Sequence, residues 1–430
     1  MNKKPVRGLK KILQKLGPGL LTGAADNDPS GITTYSQTGA KFGPGLIWTI
    51  PFMLPLMYVV QEMCGRIGLV TGKGISAVLR EHYPRRVVAI AAFLLFVANS
   101  VNIGANIAGM AAAARLIVPQ VPFAVFAGAF IIAVLSIEVF SKYKSYSHIL
   151  KWLTIALFAY MLTGFIAIKN WGEVIAYTFI PHLSFDPQFL MMLTAVFGTT
   201  ISPYLFFWQA SLETEEKRLH HEGKEDAESG IKPEHMKTMR FDTLSGMAFS
   251  QITAWFIIAT SWVVLFNSGI TEIDTAADAA EALEPLVSGF PHANTIASFI
   301  FAIGIIGLGL LSIPALATSA SYAVSEVFGW REGISYKFKR AVGFYAMIVL
   351  ATVSGLLIYI FGVSAIQALI LAAVINGILA PILIFFILLI CNNKNIMGEY
   401  VNTKLSNVIG IFTVIAMGLS AVLYLIFLWA

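Results

Sequence analysis

The stretch Ala25-Asp26-Asn27-Asp28-Pro29-Ser30-Gly31 interrupts a long apolar run that begins near residue 18. Proline removes a backbone donor and its ring collides with the preceding turn, while serine and glycine beside it add conformational freedom, so a helix entering this stretch breaks there. Two carboxylates in such a run are costly if the run crosses a bilayer, which makes them functional candidates. A second apolar run carries the same kind of interruption, Gly198-Thr199-Thr200-Ile201-Ser202-Pro203-Tyr204. At about 1.5 Å of rise per residue each break lies roughly 16–18 Å into its helix, near the middle of a ~30 Å hydrocarbon core.

The rest of the chain fixes the setting of these breaks. The 430 residues are 57% hydrophobic and 12% charged, against about 25% charged in an ordinary soluble chain, and the mean hydropathy is +0.75. Apolar runs of membrane-spanning length recur throughout, and their lack of alternation excludes a barrel in favour of helices. Helices are expected at roughly 18–40, 45–64, 87–117, 121–140, 148–168, 190–211, 241–266, 294–320, 338–361, 364–391 and 406–429. With the N-terminus in the cytoplasm, 26 of the 29 Lys and Arg fall on the cytoplasmic side, leaving only Lys41, Arg115 and Lys169 outside. The longest external loop, 267–293, has five acids and no Lys or Arg. The chain is therefore expected to be an all-α protein of the cytoplasmic (inner) membrane with about 11 spans, N-terminus inside and C-terminus outside. The basic N-terminal stretch reads as a cytoplasmic flank and not as a removed signal peptide.

The same count disposes of several other readings. The +5 net charge reflects topology and not a nucleic-acid partner. The mixed-charge stretch Glu213–His235 reads as a solvated loop, and His220 and His221 within it as merely polar. Cys64 and Cys391 are too few for a disulfide framework or a thiolate metal cage. No P-loop, Gly-x-Ser-x-Gly or His-Glu-x-x-His pattern supports an enzyme. No cofactor and no obligate protein partner is indicated beyond the lipid bilayer.

The first span runs from inside to outside and the sixth from outside to inside. Paired interruptions in oppositely directed helices five spans apart point to an inverted-repeat transporter, its site at the repeat interface. A single transmembrane domain over 1–430 is expected, with repeats at approximately 17–170 and 188–391 and an extra helix at 406–429. Unwound backbone exposes carbonyl oxygens that suit a cation, and Asp26 and Asp28 are the carboxylates the sequence places at that depth. The competing reading of Asp28 is a structural aspartate that caps the second half-helix. Asn99, Asn102 and Asn106 share one face of the third helix and either line the pathway or hold neighbouring helices together. Asn376 sits centrally in the tenth, and the Gly-rich stretch 304–309 reads as close helix packing.

Gly17-Pro18-Gly19 leading into Asp28-Pro29-Ser30-Gly31 resembles the first helix of the NRAMP family of divalent metal transporters. Gln61-Glu62-Met63-Cys64-Gly65-Arg66 through Thr71-Gly72-Lys73 resembles the end of its second, and Phe301-Ala302-Ile303-Gly304 through Glu326-Val327-Phe328-Gly329-Trp330 its eighth. The resemblance covers essentially the whole chain and implies a LeuT-like fold of two inverted five-helix repeats plus an eleventh helix. It carries the metal-binding aspartate over to Asp28. Departures are equally specific. The family's Asp-Pro-Gly-Asn becomes Asp28-Pro29-Ser30-Gly31, which removes an amide ligand. Its Met-Pro-His becomes Ser202-Pro203-Tyr204, which removes the soft thioether that favours transition metals. The acids that the family places on the third helix fall on Ile103 and Asn106, and Tyr204 and Gln209 replace its histidines. The set resembles the NRAMP-related magnesium transporter branch. Asp28, with carbonyls near Asn27, Gly31, Thr199 and Ser202, would then hold a divalent cation, Mg²⁺ before Mn²⁺, moved by alternating access without proton coupling. The alternatives are a cation-coupled symporter of a small organic solute such as an amino acid, and a non-transporting sensor that signals through residues 212–240.

Overall fold

The computed structural model describes residues 18–140, 157–221, 233–289, 292–334, 336–355 and 363–429. Among these residues there is helix but no strand. The first span is two helices, Pro18–Asp26 and Pro29–Phe42, separated at Asn27 and Asp28. The sixth is also two, Pro187–Thr200 and Pro203–His221, separated at Ile201 and Ser202. Proline opens the second half in both cases, where its missing N–H has no intrahelical partner to lose and its fixed φ already suits a helix.

The remaining spans are Thr49–Thr71, Arg85–Ile117, Phe123–Phe140, Phe158–Ala167, Pro233–Val264, Ala293–Phe328, Val342–Ser354, Ala365–Asn392 and Lys404–Trp429. Six described segments are long and apolar enough to cross a bilayer singly, the broken 187–217 segment counted as one. The helices of the first and second spans pass that test as a pair, meeting at 111° across residues 47 and 48. The fourth, fifth and ninth spans are shorter apolar helices. Residues 148–156 of the expected fifth span and 356–361 of the expected ninth lie outside the described residues, as do 1–17. The last span presents Val408, Ile411, Phe412, Ile415 and Leu419 outward, a surface that suits lipid chains and not water.

Several boundaries move, each for a physical reason. The second span ends at Thr71 and not near residue 64, because Gly72 supplies the left-handed C-cap (φ 63°) that stops it. Arg66, beyond the expected end of that span, is consequently inside the helix and only 2% exposed. It is held by Glu62 at 3.2 Å, by Asn402 Oδ1 at 2.6 Å and by the Tyr400 carbonyl. Arg240 of the seventh span donates to the other oxygen of Glu62 at 2.8 Å. The expected solvated loop from Glu213 is helix as far as His221, with Glu213, Thr214 and Glu215 buried. Residues 222–232 lie outside the described residues. A short helix the sequence reading omits, Trp171–Phe179, is capped by Asn170 and lies on the seventh span through Trp171–Trp255 and Tyr177–Trp262 ring contacts. Two more, Ala276–Glu281 and Glu284–Val287, fold the acidic loop 267–293, which docks on the first span through Gln37 and the Lys41–Glu272 pair.

Glycine decides how the half-helices are seated. A Cβ at Gly23 would lie 2.1 Å from the Gly246 carbonyl oxygen of the seventh span, and one at Gly198 would lie 2.0 Å from the Ala373 carbonyl oxygen of the tenth. Backbone meets backbone at both places, as small residues permit in membrane bundles. Gly309, in the glycine-rich stretch, instead packs against the side chain of Met110 of the third span.

Two outcomes follow for the purified protein. Gly23→Ala lowers its melting temperature, since overpacking costs about 1–3 kcal/mol; an unchanged transition would show that the first and seventh spans can part without loss. Glu62→Gln is more damaging, because leaving Arg66 buried without its anion costs about 3–5 kcal/mol, and the loss is read in the same melting experiment.

Candidate functional site

The two breaks meet at Gly31. A Cβ there would lie 3.1 Å from the carbonyl oxygen of Asp26, 3.1 Å from Thr199 Oγ1 and 3.4 Å from Asp28 Oδ1. A backbone carbonyl and a carboxylate of the first span and a hydroxyl of the sixth thus converge on a residue without a side chain. Asp28 is 2% exposed. Its Oδ1 accepts from the Gly31 N–H at 2.7 Å, so it does cap the second half-helix. Its Oδ2 accepts from Asn106 Nδ2 at 2.9 Å, and Asn102 also interacts with its carboxylate. Capping and facing the break are compatible, since a carboxylate has about four acceptor positions. Asn106 turns its own oxygen to the Ser30 N–H at 3.2 Å, and so bonds to Asp28 and Ser30 at once.

Asp26 ends the first half-helix. Its carbonyl faces Gly31, whereas its carboxylate turns to Ser250 of the seventh span, whose hydroxyl donates to Oδ2. Asn27 donates to the same Ser250 Oγ at 3.0 Å. The outer oxygens Asp26 Oδ1 and Asn27 Oδ1 are buried with no hydrogen-bond partner among the described residues. Ser202 folds back, its hydroxyl within 2.8 Å of the Gly198 carbonyl and 2.7 Å of the Thr199 carbonyl. Each carbonyl has a second lone pair left. Tyr204 donates its hydroxyl to the Ala25 carbonyl at 2.7 Å, and Tyr35 pairs with Thr200 at 2.8 Å.

The other residues singled out in the sequence separate into near and far. Asn102 and Asn106 face Asp28, but Asn99 donates to the Leu316 carbonyl at 2.9 Å and ties the third span to the eighth. Gln209 bonds to Glu213 at 3.0 Å, on its own helix. Asn376 is buried beside the Gly377–Thr194 contact, its oxygen unpartnered among the described residues. Ser250 and Tyr35 escaped the sequence reading; serine and tyrosine in apolar spans are too common to stand out. Buried acids are not confined to the breaks. Glu62, Glu138, Glu213, Glu215, Asp242 and Glu326 are all buried. Among the described residues no three His, Cys, Asp or Glu side chains converge to hold a metal, so any cation here relies on carbonyls, hydroxyls and retained water.

Comparison with known proteins is consistent with this geometry. A curated relative from Caldanaerobacter subterraneus, a divalent metal cation transporter MntH, is 26% identical over 94% of this chain and 90% of its own length. The Bacillus subtilis protein of the same name is 23% identical over 93% and 88%. Among solved structures, the Eremococcus coleocola manganese transporter superposes with a TM-score of 0.75 at 18% identity, covering 98% of this chain and 87% of that one. MhsT in complex with L-phenylalanine superposes at 0.55 and 14% identity, over 96% and 97%. The fold is thus the LeuT-like arrangement of eleven spans with the first and sixth broken. Residues 19–427 match the natural resistance-associated macrophage protein-like description, and the chain belongs to the Nramp family.

Proposed function

We propose that this protein moves divalent metal cations across the membrane by alternating access, with Mg²⁺ preferred over Mn²⁺ and without proton coupling. The observation that carries the reading is the convergence on Gly31 of the Asp28 carboxylate, the Asp26 carbonyl and the Thr199 hydroxyl, where two broken helices meet. Such a set offers oxygen alone. Hard oxygen ligands suit Mg²⁺, which dehydrates reluctantly and keeps several of its waters, whereas a thioether would have favoured softer ions. Ser202 occupies the position where the family resemblance places that thioether, and its hydroxyl bonds to the two neighbouring carbonyls. The names of the curated relatives support a divalent cation, and the structural neighbour described as a manganese transporter makes Mn²⁺ the second candidate.

The absence of coupling is argued from Ile103, Asn106, Tyr204 and Gln209, none of which is acidic or histidine where the resemblance calls for those groups. Transport then runs on the membrane potential, worth about 2.3 kcal/mol per charge per 100 mV and acting twice on a divalent ion.

Uptake of Mg²⁺ and of Mn²⁺ into proteoliposomes, with a pH dye inside, tests the proposal. The wild type takes up both without a pH change, Mg²⁺ at lower concentration, and Asp28→Ala takes up neither. Metal-dependent acidification would overturn the uncoupled reading, and absence of flux in correctly inserted protein would redirect attention to small organic solutes. Asn106→Ala removes a bond to the Asp28 carboxylate that is worth about 1.5–3 kcal/mol. If Asn106 holds that carboxylate in place for the ion, half-saturation shifts to roughly tenfold higher Mg²⁺ or more, a shift that titrating the uptake rate measures directly.

A further inference from the structure

Glu138 lies two residues from the end of the fourth span, far in sequence from either break, and is only 6% exposed. Neither of its carboxyl oxygens has a hydrogen-bond partner among the described residues. It opens on a small cavity, with room for about one water molecule, walled by Ile137, Pro314, Thr318, Tyr345 and Ile348. The polar groups of that wall are committed elsewhere. Thr318 donates to the Pro314 carbonyl at 2.5 Å, and Tyr345 donates to the Tyr336 carbonyl at 2.8 Å. Tyr345 is the titratable group of the ninth span facing the cavity. The eighth span contributes only Pro314 and Thr318, and the following loop only Ile334. Glu215 acts on Tyr345 from farther off.

Among the described residues Glu138 has neither donor nor cation; an ionised carboxylate so placed inside a membrane protein costs several kcal/mol, and the group escapes that cost by holding a proton. A structural acid would be expected to be paired, as Glu62 is. A cavity that admits one water leaves room for a proton carrier beside the carboxyl. The cavity also lies where the eighth and ninth spans are joined; Pro314 sits within the continuous eighth helix there, and Ser321 bonds to the Phe344 carbonyl across the pair.

We propose that Glu138 is a proton-binding site separate from Asp28, loaded while the cavity between the fourth, eighth and ninth spans is closed and emptied when they part. The proton enters and leaves on one side of the membrane, so turnover depends on proton occupancy without net proton movement. Only the link to turnover rests on the transport reading above; the occupancy of Glu138 stands apart from it.

Dicyclohexylcarbodiimide provides the test, since it modifies protonated carboxyls in apolar surroundings to stable N-acylureas. The full-length wild type in liposomes is treated over an acidic to alkaline series and its peptides are analysed by mass spectrometry. The adduct is expected on Glu138, lost as pH rises and absent in Glu138→Gln. In parallel, cation uptake by Glu138→Gln, which mimics the protonated acid, loses the pH dependence of the wild type, while Glu138→Asp shifts the profile without flattening it. Absence of the Glu138 adduct at every pH overturns the proton site, whatever the variants do. Identical pH profiles in the wild type and both variants overturn the link to turnover. An adduct in a protein that shows no cation flux keeps the proton site and sinks the transport reading instead, so the two failures are told apart.

Discussion

Hydrocarbon offers no water to a peptide group that has lost its helical partner, and each such group left bare costs several kcal/mol. Two helices unwinding side by side therefore need partners from elsewhere, and each break supplies them for the other. Tyr204, just past the sixth-span break, reaches the Ala25 carbonyl just before the first-span break. Tyr35 of the first span reaches Thr200 of the sixth. Asp28 and Asn106 take the N–H groups of Gly31 and Ser30, Ser202 covers two carbonyls of its own helix, and Ser319 covers the carbonyl of Tyr204. Neither break is stable without the other, so the pair behaves as a single structural unit.

Glycine brings the partners within reach. Hydrogen bonds of 2.7–3.0 Å between side chains on different spans require helix axes closer than ordinary side chains permit. The contacts of Gly23 with Gly246, of Gly198 with Gly377 and of Gly104 with Gly355 are backbone on backbone. The two half-helices are thereby seated on whole neighbours, the first on the seventh span and the sixth on the tenth. Such seating keeps Thr199 against Gly31 while leaving the segments beyond each break separate pieces.

What the sequence discloses is the part of this that depends on rare residues in a plain background. Proline and aspartate inside apolar runs mark the breaks, and the distribution of Lys and Arg counts the spans. Partner choice is hidden, because it depends on three-dimensional proximity that helical periodicity does not encode. Asn99, Asn102 and Asn106 share one face, yet only the latter two face Asp28, since a helix as long as Arg85–Ile117 passes different neighbours along its length. The burial of Arg66, Glu213 and Glu215 is hidden for a related reason. A charged residue at the end of a span looks the same in sequence whether water or an opposite charge waits for it.

That last distinction separates two kinds of embedded acid in this fold. Glu62 meets two guanidinium groups and is neutralised by the protein itself. Asp26 and Asp28 bond to Ser250, Asn106 and a backbone N–H, all neutral donors, and among the described residues neither forms a salt bridge with Lys or Arg. Neutral donors orient a carboxylate but leave its charge standing, and at this depth a standing charge is costly. Two adjacent carboxylates would carry a charge of minus two when ionised. Asp28 faces Gly31 while Asp26 turns its carboxylate to Ser250, so on the reading proposed above a divalent cation meets one carboxylate directly and the field of the other beside it. The same balance gives the empty and loaded forms different energies in a low-dielectric setting, so the cargo can bias which form closes. On the reading proposed above, the lack of a basic partner among the described residues is what leaves the break open to a doubly charged ion, and a lysine or arginine near Asp28 would satisfy the aspartates permanently and leave the ion nothing to neutralise.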